Sequence, residues 1–381
     1  MTKKVGVIGG GQLAWMMAME APKLDIELIV QASSKDDPAV KRATGVVWGE
    51  VDDADATAEL TALCDAITFE NEFINLPVLR ELLPAANFRP SLDALTPLLD
   101  KYHQRNFLKQ IGLPVPKFDL GLSQSELAAK YGFPIVLKAR RHGYDGQGTF
   151  IIKDASALAA LSGRIPIAEL LVEEFIPFER ELGIIAARNV AGEIAVYPVT
   201  ETRQQDRVCH WTITPADVDE PVKQEVRAIA RKILEELKVV GVFGIEFFLT
   251  RDRRVLVNEI APRTHNSGHY SLDACETSQF AMQLRAVADL PLGSTALKSA
   301  GAVMVNLLGF EESNSDYRQQ RDRISTIPHS FVHWYGKTSR LGRKLGHVTV
   351  LLDSEQLTAA KTTIEQIESA WYGKSATTLD K

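Results

Sequence analysis

Along the first hundred residues, short apolar runs alternate with stretches whose apolar positions recur every three or four residues. Val5-Gly6-Val7-Ile8, Glu27-Leu28-Ile29-Val30 and Ala66-Ile67-Thr68-Phe69 read as strands, and Leu13 to Met19 as a helix entered through glycines 9–11. That rhythm predicts a parallel sheet covered by helices. A helix over Lys101 to Gln110 stops at Gly112, and Pro114 and Pro116 behind it mark a boundary. From 118 to 176 the pattern changes to strand (Pro134 to Lys138), glycine-rich charged loop (Arg140 to Gly148) and strand (Thr149 to Ile152). A helix (Ser156 to Leu161) and a further strand (Leu170 to Glu174) complete a small α+β unit. Beyond it lie strands at 182–186 and 194–197, an amphipathic helix from Val222 to Leu237 and a helix from Ser278 to Ala288. The tail carries apolar runs at 304–308, 331–335 and 347–350. The expected fold class is α/β in three parts. Residues 1–99 form a Rossmann-like parallel-sheet domain and 100–290 a larger α+β domain, with a lid at about 115–175. Residues 291–381 form a C-terminal domain.

One pairing carries chemistry. The apolar run Val242 to Leu249 and the run Val255 to Val257 flank Arg251-Asp252-Arg253-Arg254, which reads as a hairpin turning at Asp252-Arg253. A two-residue loop sets Arg251 opposite Arg254 and, counting back, Glu246 opposite Glu259. Like charges face to face destabilise a sheet unless one carboxylate keeps a proton or a cation sits between them. Phe247, Phe248, Val255 and Val257 imply burial around the pair, against the alternative of two solvated glutamates. With Asn258 as a further oxygen donor, Mg²⁺ held against a polyphosphate is the natural occupant.

Charge narrows the function classes. Lys+Arg 43 against Asp+Glu 49 gives a net charge of −6, so bulk electrostatics does not favour nucleic acid or an anionic membrane. Cys64, Cys209 and Cys275 are far apart and make neither a disulfide framework nor a zinc site. The apolar stretch after Lys3-Lys4 is broken by Gly9-Gly10-Gly11-Gln12, unlike a signal peptide, and no later run would span a bilayer. A cytoplasmic setting is expected.

Several loops offer ligand chemistry. Gly9-x-Gly11-x-x-Ala14 has the form of a dinucleotide fingerprint, but the next strand ends at Gln31-Ala32-Ser33 without the ribose-binding acid. The turn therefore reads as a phosphate or polar-ligand cradle, or as structure alone, rather than an NAD site. Arg140 to Thr149 combines three glycines with flanking arginines, suited to an anion, yet lacks the Lys-Ser/Thr ending of a P-loop. Lys138, on an apolar strand just before it, needs an anionic partner. Glu173-Glu174-Phe175-Ile176, followed by Glu179 and Glu181, would suit an adenine edge and ribose hydroxyls, or be a solvated acidic linker. The basic stretch from His333 to His347 suits a small phosphate or is a solvated loop.

Taken together, Lys138, the string 143–148, Glu173 to Ile176, Glu181, Glu246 and Asn258-Glu259 resemble the ATP-grasp superfamily. More narrowly, Gly9 to Leu13, Phe69-Glu70-Asn71-Glu72, Ala261 to His269, Thr277 to Phe280 and Gly342 to His347 are similar to the 5-(carboxyamino)imidazole ribonucleotide synthase family. The resemblance runs over nearly the whole chain. It implies an ATP-grasp architecture, Mg²⁺ (or Mn²⁺), a homodimer, and ATP- and bicarbonate-dependent carboxylation of aminoimidazole ribonucleotide in purine synthesis. It further implies that Lys101 and Lys138 contact ATP phosphates. Gly143, Tyr144, Asp145, Gly146, Gln147, Gly148 and Thr149 would cover them. Glu173, Glu174, Phe175 and Ile176 would hold adenine, and Glu181 the ribose, with Gln204 and Asn258 nearby; Glu246 and Glu259 would bind the metal. Gln12, Leu13, Glu72, Asp145, His265, Asn266, Ser267, Lys337, Arg343 and Lys344 would line the ribonucleotide side, and Arg263 and His265, with Lys138, would act in catalysis. The chain departs from the family's pattern at Ala14-Trp15, Lys101, Gln147 and Gln204. Rival classes are another ATP-grasp ligase, such as the formate-dependent glycinamide ribonucleotide transformylase, a non-catalytic ATP-binding module, and an NAD-dependent oxidoreductase.

Overall fold

The computed structural model describes residues 2–82, 87–141, 148–205 and 208–373. The three apolar runs at the N-terminus become β1 (Lys3–Ile8), β2 (Ile26–Ala32) and β4 (Ala66–Phe69), and Gly45–Trp48, not read from the sequence, adds β3. They pair in the order β3-β2-β1-β4, all parallel. The inner strands β1 and β2 and the strand β4 are mostly buried on both faces, which is why they read as apolar segments, whereas β3 at the edge is only partly buried. The helix Gln12–Glu20 packs Met16 and Met17 against Phe280, Leu284 and Val287 of the helix Gln279–Val287. Full burial of each such side chain contributes about 1.5–3 kcal/mol, so the first sheet is fastened to the rest of the molecule. Gln283 adds a polar rivet: its amide nitrogen donates to Thr68 on β4, while its oxygen accepts from the Val242 N–H.

A second, antiparallel sheet comprises β5 (Phe118–Leu120), β6 (Ile135–Lys138), β7 (Thr149–Ile152) and β8 (Leu171–Glu174), ordered β5-β8-β6-β7. Its small core is built from Leu127, Ile135, Leu137, Leu158 and Val172. This is the lid unit expected from the strand–loop–strand pattern.

The third sheet has nine strands among the described residues. They are β9 (Phe178–Arg188), β10 (Ile194–Val196), β11 (Thr200–Gln205), β12 (Val208–Thr214), β13 (Gly241–Thr250), β14 (Val255–Ala261), β15 (Gly301–Leu308), β16 (Ser330–Trp334) and β17 (Lys344–Leu352). The order is β14-β13-β9-β11-β12-β15-β17-β16, with β10 beside β9. The helix Glu220–Leu237 covers one end through Val222, Val226, Ile229 and Ile233, and Leu357–Tyr372 the other through Ile364, Ile367 and Trp371. The sheet runs straight through the region near 291, because β15 pairs with β12.

A further strand went unread and one local expectation needs correction. Residues 200–205, Thr-Glu-Thr-Arg-Gln-Gln, carry no hydrophobic signal, yet form β11 because β9 and β12 flank them on both sides. The hairpin after β13 has a three-residue loop, not two: the Thr250 N–H donates to the Arg254 carbonyl, and Arg253 takes the left-handed conformation at φ +66. From Leu249↔Val255 to Phe247↔Val257 the register differs by one residue from the expected count. A bulge at Asn258 then restores it, so Glu246 still pairs with Glu259. Among the described residues no helix is long and apolar enough to cross a membrane.

Candidate active site

The alternation of β13 sends Glu246 and Phe248 to one face. Their partners on β9, Gly183 and Glu181, lie on the same face. On β14 the core residues are Val255, Val257 and Ile260, a spacing of two and then three. The extra residue of the bulge therefore brings both Asn258 and Glu259 to the face of Glu246. Lys101, the first residue of the helix Lys101–Gln110, sets its ammonium 2.9 Å from Glu259.

Charge in this cluster is unbalanced. Burial, with Glu259 and then Glu181 adding repulsion, pushes the Glu246 carboxyl up to about 8. Burial opposes ionisation of Glu259 as well, but the Lys101 ammonium holds its carboxyl below the usual range. Glu181 is raised to about 7 by burial, partly offset by a backbone hydrogen bond from Gln204. A carboxylate that keeps its proton beside an ionised one is a group in want of a cation. The donors are all hard oxygens, which fits Mg²⁺ or Mn²⁺. Among the described residues no cluster of three or more His, Cys, Asp or Glu could hold a metal. An ion on this pair would draw its remaining ligands from phosphates and water, as Mg²⁺ commonly does.

Beside this cluster lies a buried ionic knot. Glu173, on β8, is 2 % exposed and takes Arg105 on one oxygen (2.5 Å) and Lys138 on the other (2.8 Å). Burial alone would raise its pKa, yet the two cations draw it down to about 2. Lys138 Nζ also donates to Asn258 Oδ1 at 3.1 Å, linking the lid to β14. Burial and the neighbouring charges of Arg105 and Lys101 lower the Lys138 pKa, against the pull of Glu173.

The third group gathers residues from distant parts of the chain. Arg263 grips Glu72 with two hydrogen bonds, 2.5 and 3.1 Å. His265 Nδ1 lies 2.8 Å from Ser267 Oγ, and its Nε2 is 3.7 Å from Glu246. Burial, then the charges of Arg263 and Lys344, drops its pKa to about 4, so the ring is neutral at pH 7. Asn266 and Asn306 exchange amide hydrogen bonds. Lys337 Nζ donates to Gln12 Oε1 at 2.7 Å, while Arg343 donates to the Thr338 carbonyl and Lys344 opens β17.

The structure thus brings together Lys101, Lys138, Glu246, Asn258 and Glu259, with Arg263, His265 and Glu72 alongside. Thr149 pairs with Lys138 across β7 and β6, with Gly148 just before it. The Glu173 side chain is committed to Arg105 and Lys138. Glu174 accepts from the Lys117 N–H, and Phe175 and Ile176 connect β8 to β9. The Leu13 side chain belongs to the core, and its N–H donates to the Glu70 carboxylate at 3.2 Å. That carboxylate occupies the helix N-terminus that a dinucleotide pyrophosphate would need. Gly143, Tyr144, Asp145, Gly146 and Gln147 lie outside the described residues. Sequence reasoning missed Gln104 and Arg105, and it named Glu70 and Phe248 without giving either a role at the site. Phe248 sits next to Glu181 on the site face and stacks on Phe178 at 4.7 Å. The adjacent polar pair Asn258-Glu259, breaking the alternation of β14, was the available signal for the bulge.

Comparison with known proteins finds relatives that cover nearly the whole chain. Residues 106–280 match the ATP-grasp domain, 1–97 the ribonucleotide synthetase preATP-grasp domain, and 302–361 the phosphoribosylaminoimidazole carboxylase C-terminal domain. The N5-carboxyaminoimidazole ribonucleotide synthase of Synechocystis sp. is 53% identical, over 97% of this chain and 98% of its own. The N5-carboxyaminoimidazole ribonucleotide synthetase of Thermotoga maritima superposes with a TM-score of 0.86 at 39% identity, covering 97% of each chain. The Aspergillus clavatus N5-carboxyaminoimidazole synthase, solved with ADP and 5-aminoimidazole ribonucleotide, gives 0.89 at 29% identity over 98% and 99%. This chain belongs to the N5-carboxyaminoimidazole ribonucleotide synthase family of ATP-grasp enzymes.

Proposed function

We propose that the chain carboxylates 5-aminoimidazole ribonucleotide to N5-carboxyaminoimidazole ribonucleotide at the expense of ATP, with bicarbonate as carbon source, in de novo purine biosynthesis. The observation that carries the reading is the contact between two kinds of site. Glu246, beside the phosphate-type cluster of Lys101, Lys138 and Glu259, is 3.7 Å from His265, a residue assigned to the ribonucleotide side whose charged neighbours include Arg263 and Lys344.

Bicarbonate is a poor electrophile. Its oxygen attacks the γ-phosphorus of ATP; the new P–O bond forms as the β,γ-bridge bond breaks, releasing ADP and leaving carboxyphosphate. Such a transfer calls for positioning and charge stabilisation without a covalent enzyme nucleophile. Lys101 and Lys138 supply positive charge to the phosphates. A divalent cation, which Glu246 and Glu259 would hold, would supply charge neutralisation for the transferring phosphoryl group. Carboxyphosphate then splits its C–O bond to CO₂ and phosphate. The substrate amine attacks CO₂, and the proton it loses passes to that phosphate. Arg263 and His265 are assigned to the acyl phosphate. His265, neutral at pH 7, offers a ring nitrogen without adding positive charge. Lys337, Arg343 and Lys344 hold the ribonucleotide phosphate together with Gln12. The division at residues 99 and 290, a homodimer and a cytoplasmic setting complete the reading.

The test is ADP release with and without 5-aminoimidazole ribonucleotide in bicarbonate buffer. Strong stimulation by that ribonucleotide, and none by glycinamide ribonucleotide with formate, is expected. Stimulation by the latter pair alone would reassign the chain to the transformylase reaction.

A further inference from the structure

β14 carries Glu259, yet it is an edge strand of the large sheet. An open edge leaves backbone donors and acceptors without a neighbouring strand. Among the described residues no strand completes it; a helix does. Gln104, 2 % exposed, accepts from the Ile260 N–H at 2.9 Å and donates to the Ile260 carbonyl at 3.0 Å, as a paired strand residue would. One residue further along the helix, Arg105 donates to the carbonyl of Asn258, the bulged residue, and on its other side binds Glu173. The Val257 N–H donates to the Pro114 carbonyl, so the segment after the helix continues the cover. Lys101, Gln104 and Arg105 lie on one helix face and meet three consecutive residues, 258 to 260.

The bulge needs this support. Continuing the register of Phe247↔Val257 without it would set Asn258 opposite Glu246 and turn Glu259 to the opposite face, among Ile245 and Phe247. A carboxylate among those side chains is strongly disfavoured. The bulge is held by hydrogen bonds to the outer backbone edge of β14, and Gln104 makes two of them.

We propose that Gln104 is a positioning residue for the divalent-cation site. By standing in for a neighbouring strand at Ile260, it fixes the bulge that aims Glu259 at Glu246, with Arg105 as its partner at Asn258. The inference rests on the proposed function only in assigning a metal–nucleotide complex to the carboxylate pair.

The test is Gln104→Met, which keeps the side-chain length and removes both hydrogen bonds to β14, together with a longer one to the Leu98 carbonyl at 3.4 Å. Calorimetry with Mg-ADP should show affinity reduced roughly tenfold, equivalent to about 1.4 kcal/mol. Affinity for 5-aminoimidazole ribonucleotide should stay within roughly twofold. The metal-free protein should show faster amide exchange at Ile260. Leu60→Ala, in the core of the first sheet, serves as a destabilised control and should leave both affinities unchanged. Should Gln104→Met fail to fold, Gln104→Glu, which keeps the acceptor for the Ile260 N–H, gives the same comparison. Unchanged Mg-ADP affinity with accelerated exchange at Ile260, or equal loss of both ligands, overturns the proposal. A wild-type protein that binds Mg-ADP but shows no ribonucleotide-dependent ADP release would retire the proposed function and leave this inference standing.

Discussion

Protonation at Glu246 sets how the metal site responds to pH. A group with a folded pKa of about 8 keeps its proton through the neutral range, and a cation must displace it. With ADP saturating, apparent Mg²⁺ affinity should climb between pH 7 and 8 and level off above, each ion releasing close to one proton near pH 7. Titration calorimetry in buffers of different ionisation heat reads that proton directly; Glu246→Gln should weaken binding and abolish the release. Glu173 has the opposite disposition. Its folded pKa of about 2 lies below the ordinary 4.5, so its contribution to stability is complete above about pH 4.5 and is lost as pH falls through 2. Glu173→Gln leaves Arg105 and Lys138 buried around a neutral amide. Removing one member of a buried ion pair costs about 3–5 kcal/mol, and chemical denaturation at pH 7 should show a loss of that order. A loss below about 1 kcal/mol would mean that water reaches the knot.

At the scale of elements, what could be read from the chain was whatever leaves a periodic signal. Three strands of the first sheet (β1, β2 and β4), the lid's β6 and β7, and the helix Lys101–Gln110 announce themselves by apolar runs, spacing and capping residues, whereas the short edge strand β3 was not read. The pairing of Glu246 with Glu259 was reached by a count in which two errors cancel. A two-residue loop with straight strands gives the same partner as a three-residue loop with one bulge. β11 escaped because a polar strand between two others is held by its neighbours. The buried trio of Glu173, Arg105 and Lys138 was legible only in part: Lys138 on its apolar strand called for an anionic partner, but Glu173 and Arg105 each look solvated alone, and only the approach of β8, β6 and the helix after Asp100 makes them one unit. That helix also docks the lid. Asp100 caps it while binding Arg140, just beyond β6, at 2.7 Å, and the Lys101 N–H donates to the Arg140 carbonyl. Asp100→Asn retains the cap but loses the charge. Amides of β6 and β7 should then exchange faster, while those within the helix keep their protection. Unchanged rates in β6 and β7 would show that the lid docks without this ion pair.

Over the whole molecule, the proposed ribonucleotide site joins the two ends of the chain: Lys337 and Gln12, 325 residues apart, share a hydrogen bond. Arg343→Ala should therefore weaken 5-aminoimidazole ribonucleotide binding by roughly tenfold or more, since one charge-assisted bond is worth about 1.5–3 kcal/mol. The affinity for Mg-ADP should be nearly unchanged, because Lys101 and Lys138 lie elsewhere. Separate titrations of the two ligands check this, and a loss confined to Mg-ADP would place the basic loop at the wrong site. The continuity of the large sheet has a further consequence, for the order in which the protein is made. β12 is complete at Thr214, but its outer neighbour β15 begins only at Gly301, and β17 beyond it at Lys344. At roughly 5–20 residues per second, the ribosome leaves the edge bearing Cys209, Trp211 and Ile213 without its partner for several seconds or longer. A nascent chain stalled in that interval presents an open strand edge of the kind that recruits other chains, so synthesis beyond Gly301 is itself a step in keeping this enzyme soluble.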